Sequence, residues 1–321
     1  MSGFKTLLPD ARVTPRFAGI ATFCRFPRVE DVPAASRPLD WAVYGVPFDS
    51  GVTFRPGARF GPRAIREASQ YVKPHHLEHG VNVCEKLSLA DAGDAPVLPY
   101  RLHETLATVS GWAARLGDSV TKLLAVGGDH TVAYANLRAT WDRLGRPSTG
   151  LPLIHFDSHL DTVDEVWGER WGHASVFRRA IEDGLVDPAR MISVGVKGPL
   201  NRAEDLDFAR RRGIEVVTFE RWNRDGPAVL AAYLGRLGST PAYLTFDIDV
   251  VDPAFAPGTG TPSVGGFTSA QILAVLRSLR GVRLAGADVV EVLPDRDAAQ
   301  ITALLASQVI LEILALDALL R

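Results

Sequence analysis

Acidic residues and histidines gather in three short runs of this chain, each placed directly behind an apolar stretch. Leu124-Ala125-Val126 leads into Gly127-Gly128-Asp129-His130. Leu153–Phe156 leads into Asp157-Ser158-His159-Leu160-Asp161, and Tyr243–Phe246 into Asp247-Ile248-Asp249-Val250-Val251-Asp252-Pro253. A strand alternates its side chains with a period of two. On that period Asp157, His159 and Asp161 face one way, and Asp247 and Asp249 share a face. Carboxylates crowded together raise one another's pKa, and a cation must offset their charge. Asp with His, and no Cys, suits a divalent ion such as manganese. A carboxylate shared by two ions would make a two-metal site, with the ions roughly 3.5–4 Å apart.

Each run also has a plainer reading. An Asp at a strand end commonly forms a turn or caps a helix. Gly127–His130 fits a strand-to-helix turn in which Asp129 or Thr131 is the cap, and Asp252-Pro253 reads as a turn. The combination of all three in one chain favours the metal site. His155 falls on the face of Asp157, one pleat deeper, and is expected to be structural. His75, His76, His79 and His103 show no partner pattern and are expected on the surface or in loops.

The elements that must position these residues repeat along the chain. Candidate strands are Trp41–Val46, Leu87–Asp91, Leu123–Val126, Leu153–Asp157, Met191–Val196, Glu215–Phe219, Ala242–Asp249 and Arg283–Val290. Amphipathic stretches lie between them, among them Arg63–Ser69, Glu104–Leu116, Ala133–Leu144, Ser175–Glu182, Ala203–Arg212, Pro227–Leu237 and Ser269–Leu279. Apolar strands alternating with helices predict a parallel sheet covered on both faces. The expectation is an α/β chain, a three-layer α/β/α single domain over 1–321, with about eight strands and 1–38 as an N-terminal extension. In such sheets ligands bind beyond the carboxyl ends of the strands.

Composition excludes several other classes. The 321 residues are 46% hydrophobic and 22% charged, with a formal net charge of -2. No basic block argues for nucleic acid or an anionic membrane as partner. Cys24 and Cys84 lie far apart in no metal-like spacing, which fits a reduced cytoplasmic enzyme. Met1–Arg28 lacks the apolar core of a signal peptide. The apolar stretch Ile301–Leu320 is interrupted by Gln308, Glu312 and Asp317, costly groups in lipid. It is expected to be a buried helix or a subunit contact rather than a membrane span.

At the three runs the chain resembles the ureohydrolase family of arginases, agmatinases and guanidino-acid hydrolases, on its agmatinase-like branch. The resemblance extends from Tyr44-Gly45-Val46-Pro47-Phe48-Asp49 to the C-terminal helix and includes Ala256-Pro257-Gly258-Thr259-Gly260-Thr261-Pro262. It implies an arginase-like α/β/α fold and a homo-oligomer, trimer or hexamer. It implies one divalent ion, most simply Mn2+ with Ni2+ or Co2+ as alternatives, on His130, Asp157, Asp161 and Asp247. A second ion would lie on Asp157, His159, Asp247 and Asp249. It makes Glu291 the residue that binds the guanidinium, and His173 the proton shuttle for the leaving amine. Asp161 joins these two among the catalytic residues. Ala174 departs from the family's usual Gly after this His. The loop Gly51–Gly61, with Arg55 and Arg59, resembles a family turn expected to serve packing and subunit contact.

The implied reaction is hydrolysis of a guanidino group to urea and an amine. Two ions sharing a water lower its pKa, and a carboxylate can hold the planar guanidinium in a bidentate grip. The loop Thr162–Gly172 is expected to read the substrate tail. It lacks the Ser-x-Asn pattern with which arginases hold an α-amino acid. Asp164, Glu165 and Glu169 favour an amine tail such as that of agmatine. Arg170 keeps a carboxylate tail such as guanidinobutyrate open, while Trp167 and Trp171 would suit small or alkylated guanidines. A non-catalytic subunit partnering an active homologue would lack ligands, and none is missing here.

Overall fold

In a computed structural model of the protein, which describes residues 5–321, eight strands form one sheet. They are β1 (Trp41–Val46), β2 (Leu89–Asp94), β3 (Lys122–Gly127), β4 (Leu151–Phe156), β5 (Val186–Val196), β6 (Glu215–Thr218), β7 (Ala242–Asp247) and β8 (Leu284–Val290). Every pairing between them is parallel. The spatial order is β2-β1-β3-β8-β7-β4-β5-β6. The central strands β1, β4, β7 and β8 are buried along their whole length. That burial explains their nearly continuous apolar sequences, since a parallel sheet is covered on both faces.

The covering helices are α1 (Gly61–Ala68), α2 (Leu102–Ala113), α3 (Val132–Arg143), α4 (Val176–Glu182), α5 (Asp207–Arg212), α6 (Phe219–Leu237), α7 (Ser269–Ser278) and α8 (Ile301–Ala318). Ile65, Leu230, Leu276 and the apolar residues of α8 form one core layer with the sheet. Leu106, Leu137, Phe177 and Ala209 belong to cores that include α2 to α5. All eight expected strands are present, with ends moved by a few residues. Helix α6 begins well before Pro227, which lies inside it. Thr218 caps its start by accepting from the Arg221 N–H. Buried Leu230, Tyr233 and Leu237 hold the helix to the sheet despite the hydrogen bond that a proline removes.

Part of the N-terminal extension packs onto the β1–β2 side of the sheet. The Thr6 hydroxyl donates to the Leu87 carbonyl at 2.6 Å, and the Phe23 N–H to Asp91 at 2.9 Å. Phe23, Cys24 and Phe26 are buried. The first residues of Met1–Arg28, for which no signal peptide was expected, lie outside the described residues.

Helix α8 is long and apolar enough to cross a membrane by length and composition, yet most of it is buried in this fold. Its polar breaks are answered from neighbouring elements. Asp317 accepts from Trp41 Nε1 at 2.9 Å and pairs with Lys122 at 2.5 Å. Glu312 accepts from Arg277 and meets His76 Nε2, both at 2.8 Å. This corrects the expectation for His76 and His79, whose side chains are buried against α8. Sequence spacing gave no sign of it, because Glu312 lies more than two hundred residues away.

The strand order makes β3, β8, β7 and β4 neighbours in the middle of the sheet. Phe156 registers with Phe246, and Val290 with Asp247. The residues that follow these strands therefore emerge at one level, on strands about 4.8 Å apart.

Candidate metal centre

The acidic runs converge, but not through continued strand geometry. Strand β4 ends at Phe156 and β7 at Asp247. Beyond Phe156 the chain turns: the His159 N–H donates to Asp157 Oδ1 at 2.6 Å, and Asp161 adopts φ 52°. Beyond Asp247 a 3-10 turn, Ile248–Val250, brings Asp249 round, and its N–H donates to Asp247 Oδ1 at 2.8 Å. These residues meet through turns, not through the strand period of two expected of them.

His130 Nδ1 lies 2.9 Å from Asp161, 3.2 Å from Asp157 and 3.4 Å from Asp247. It forms a hydrogen bond of acceptable geometry with none of them and has no other partner among the described residues. The opposite nitrogen is tied down. Nε2 meets Thr245 Oγ1 at 2.8 Å, and that hydroxyl donates to Asp288 Oδ1 at 2.6 Å. Thr245 must then accept from Nε2–H, which leaves Nδ1 as the nitrogen turned to three carboxylates. Positive charge is needed between them: without an ion Nδ1 must hold a proton, and a divalent cation can take that proton's place. Tyr243 completes the support by donating to Asp288 Oδ2 at 2.6 Å.

A second group stands beside the first. His159 Nδ1 is 3.3 Å from Asp157 Oδ1 and 3.1 Å from Asp249 Oδ2. Asp249 Oδ1 accepts from the Ser158 N–H and hydroxyl, leaving Oδ2 toward His159 and Thr261. Asp157 contributes to both groups. The expected structural His155 is buried, with Nε2 on Asp157 at 2.9 Å and Nδ1 at 3.0 Å from Ser193. Burial would push Asp157 upward, yet His130, His155 and His159 hold it well below the usual carboxylate range. Burial, then Asp249 and Asp157, drive Asp247 well above that range; burial and Asp157 raise Asp161 as well. Burial opposes charge on His130, but its carboxylate neighbours still pull it well above the ordinary imidazole range. These opposed shifts are the same unmet demand for cations, and the donor set fits two divalent ions.

Glu291 follows β8 in the left-handed region at φ 67°, a strain of order 1–3 kcal/mol for a residue with a Cβ. Its carboxylate is fully buried. Oε1 accepts from the His130 N–H and from His173 Nδ1, each at 2.8 Å, while Oε2 has no partner among the described residues. Gly128 makes this packing possible: a Cβ there would lie 2.0 Å from the Phe48 carbonyl, and its own carbonyl accepts from the Glu291 N–H.

A cleft of about 190 Å³ opens over the group, lined by His159, Asp161, His173 and Asp247. Its wall includes Leu160, Val163, Val196 and Leu200, with Lys197, Asn201 and Asp205 as polar members. Ala174 also lines it. Arg170 does not. It is exposed and paired with Asp164 at 3.4 Å and Glu182 at 3.2 Å. Asp164 is further bound by Arg178 and Arg179, and Glu169 accepts from the Trp171 N–H. The charges of the loop expected to read the substrate tail are answered within the loop and by α4, and Val166 pairs with Glu169 in a short hairpin. Trp167 sits at its exposed tip, while Trp171 packs on Tyr134 and His103.

Sequence reasoning missed several residues here. Lys197 follows β5, lines the cleft, and donates to the carbonyls of Asp249 and Val250 at 2.7 and 3.1 Å. Its place just after a strand was the available signal. The loop Gly51–Gly61, expected to serve packing and subunit contact, also enters the site: Gly51 and Thr53 both contact His173. His76, His79 and Glu312 form another close group. Each ring accepts at Nδ1, from the His79 N–H and from Arg280. Both Nε2 atoms then carry protons, so that group presents no imidazole lone pair to an ion.

The sequence pattern of the arginase family matches residues 39–316. The guanidinopropionase of Pseudomonas aeruginosa is 43% identical over 309 residues, 96% of this chain and 94% of that protein. The guanidinobutyrase of the same organism is 38% identical, over 94% of this chain and 93% of its own length. Among solved structures, proclavaminate amidino hydrolase from Streptomyces clavuligerus superposes with a TM-score of 0.88 at 36% identity, covering 96% of this chain and 100% of that one. The chain, with its eight-stranded parallel sheet and its clustered His and Asp residues, belongs to the arginase family and is a hydrolase of the C–N bonds of guanidino compounds.

Proposed function

We propose that this protein hydrolyses a short ω-guanidino acid to urea and an amino acid at two divalent cations, most simply manganese. His130, Asp157, Asp161 and Asp247 would hold one ion; Asp157, His159, Asp247 and Asp249 would hold the other. The observation that carries this reading is His130 Nδ1 turned to three carboxylates without a hydrogen bond to any, beside a buried Glu291 with one unpartnered oxygen. When bound, the ions supply Lewis acidity that makes water a nucleophile near neutral pH. Glu291 Oε1 is saturated by two donors, so Oε2 is free to take a guanidinium N–H and orient the planar group. Leu160, Val163, Val196 and Leu200 keep water from the substrate's methylene chain. His173 holds a proton at Nδ1 against Glu291 and stands ready to exchange one at Nε2.

Two points support the carboxylate tail. The acids that favoured an amine tail lie outside the cleft, whereas Lys197 lines it. The relatives compared above carry the names of guanidino-acid hydrolases. An amine tail, as in agmatine, is the second reading, favoured by Asp205 in the wall. The test is urea release from guanidinopropionate, guanidinobutyrate, agmatine and arginine, with Mn2+, Ni2+ and Co2+ in turn. Fastest turnover of a guanidino acid supports the first reading, and of agmatine the second. No urea from any of them would overturn the proposed function. Arg170→Ala should leave the ranking unchanged, since that side chain is outside the cleft.

A further inference from the structure

His173 is held from three sides. Its own N–H donates to the Gly51 carbonyl at 2.9 Å. Nδ1 meets Glu291 Oε1 at 2.8 Å. At Nε2 both polar groups of one residue converge: the Thr53 N–H donates at 2.9 Å, and the Thr53 hydroxyl lies at 2.7 Å. The loop that carries Thr53 is itself anchored, because the Gly51 N–H donates to buried Asp129 at 2.7 Å. It also fits closely there, since a Cβ on Gly51 would lie 2.6 Å from Thr131 and 3.1 Å from Asp129.

An imidazole nitrogen changes role when it gains a proton. Bare Nε2 is an acceptor and needs a donor, whereas protonated Nε2 is a donor and needs an acceptor. A backbone N–H serves the first state only. A hydroxyl can serve the second, because its oxygen accepts. We propose that Thr53 is the positioning residue for His173, its N–H holding the neutral ring and its hydroxyl receiving Nε2–H when the ring is charged. This rests on the proposed reaction, in which His173 exchanges a proton with the departing amine. Nε2 takes a proton given up by water in the cleft, and Thr53 Oγ1 is the acceptor for the new in-plane N–H. When the amine nitrogen takes that proton, the ring returns to the N–H contact with Nδ1–H unchanged.

The charged groups around the ring are named by the same geometry. Glu291 touches Nδ1, and Asp161 and Asp129 lie near enough to favour the charged ring. Burial works against that charge, yet the three acids together pull His173 up to about 9. Cations bound at Asp161 and its neighbours would cancel part of that pull. Thr53 lines the same cleft as His173.

The test compares Thr53→Val, which loses the hydroxyl but keeps the N–H, with Thr53→Ser, which keeps both. Hydrogen bonds to charged groups predict a fall in kcat of about ten- to a hundredfold for T53V. KM and metal content should be unchanged. The pH limb that reports charged His173 should move down by about one unit, because its charged form has lost an acceptor. T53S should restore most of the rate and the limb. A readout independent of turnover is the modification of His173 by diethyl pyrocarbonate, followed by mass spectrometry. That reagent attacks unprotonated imidazole, so T53V should react faster near neutral pH than the wild type or T53S. A T53V enzyme with wild-type kcat and pH profile would overturn the assignment, as would one that loses metal or KM while the limb stays put. If the wild type releases no urea but the modification rates follow this order, the proposed reaction fails and the role of Thr53 stands.

Discussion

Replacing Thr245 by valine removes one hydroxyl from the floor of the metal centre while nearly conserving volume. That hydroxyl accepts from His130 Nε2 at 2.8 Å and donates to Asp288 Oδ1 at 2.6 Å. His130, Thr245 and Asp288 are all fully buried. Valine therefore strands two buried polar atoms, each at a cost of about 1–3 kcal/mol. One part of this destabilises the fold. The other releases the His130 ring, whose tautomer and direction the hydroxyl had fixed. Groups that orient a metal-binding His are typically worth about 10–100-fold in metal affinity, or about 1.4–2.7 kcal/mol at 1.36 kcal/mol per decade. A chelator-competition titration of the loaded protein should show one of two ions weakened by that factor. The ion at His159 and Asp249 should hold within about threefold, since neither residue touches Thr245; differences that small lie below one kcal/mol. Differential scanning calorimetry should show a lower Tm even for the metal-free variant. Two ions held with wild-type affinity in Thr245→Val would refute the reasoning that Nδ1 of His130 is aimed through Thr245.

Asp157→Ala and Asp247→Ala should each abolish urea release and strip both ions, whereas His130→Ala should chiefly empty one site; elemental analysis decides, and two tightly held ions in Asp247→Ala would refute the shared role. Glu291→Gln should keep both ions but lose about ten- to a hundredfold in kcat, since one charge-assisted bond to the substrate is worth about 1.5–3 kcal/mol. Near-normal turnover there would make Glu291 structural only. Metal removal should introduce a pH dependence. Asp247, Asp161, His130 and His159 all have folded pKa values raised above their ordinary ones, so their contribution is full at low pH and lost as pH rises. Asp157 is depressed, and its contribution is already complete above about pH 4. The Tm of the chelated protein should therefore fall from about pH 5 to pH 8, where ordinary carboxylates no longer titrate, and the gap to the loaded protein should widen. A constant gap would contradict this.

The sequence by itself determined the sheet and the identities of the residues that gather at its edge. Eight apolar runs became eight parallel strands because a strand buried on both faces leaves a continuous hydrophobic signature that a chain can carry locally. The His and Asp residues could be named because each lies within a few positions of a strand end. What lay beyond that reach was decided by tertiary structure. Asp157, His159 and Asp161 converge through a turn and a left-handed residue, not through alternation. The tautomer of His130 is set by Thr245 and Asp288, which belong to two other strands and are ordinary strand residues when read in sequence. Arg170 has the right charge in the right loop, but it is exposed and paired with Asp164 and Glu182. Thr53 and Lys197 enter the cleft from loops that follow β1 and β5; a place directly after a strand marks Lys197, and nothing near Thr53 marks it. Residue type and strand position are local properties of a chain. Which lone pair faces which proton depends on contacts between residues about a hundred or more apart, and only the packed strands fix those.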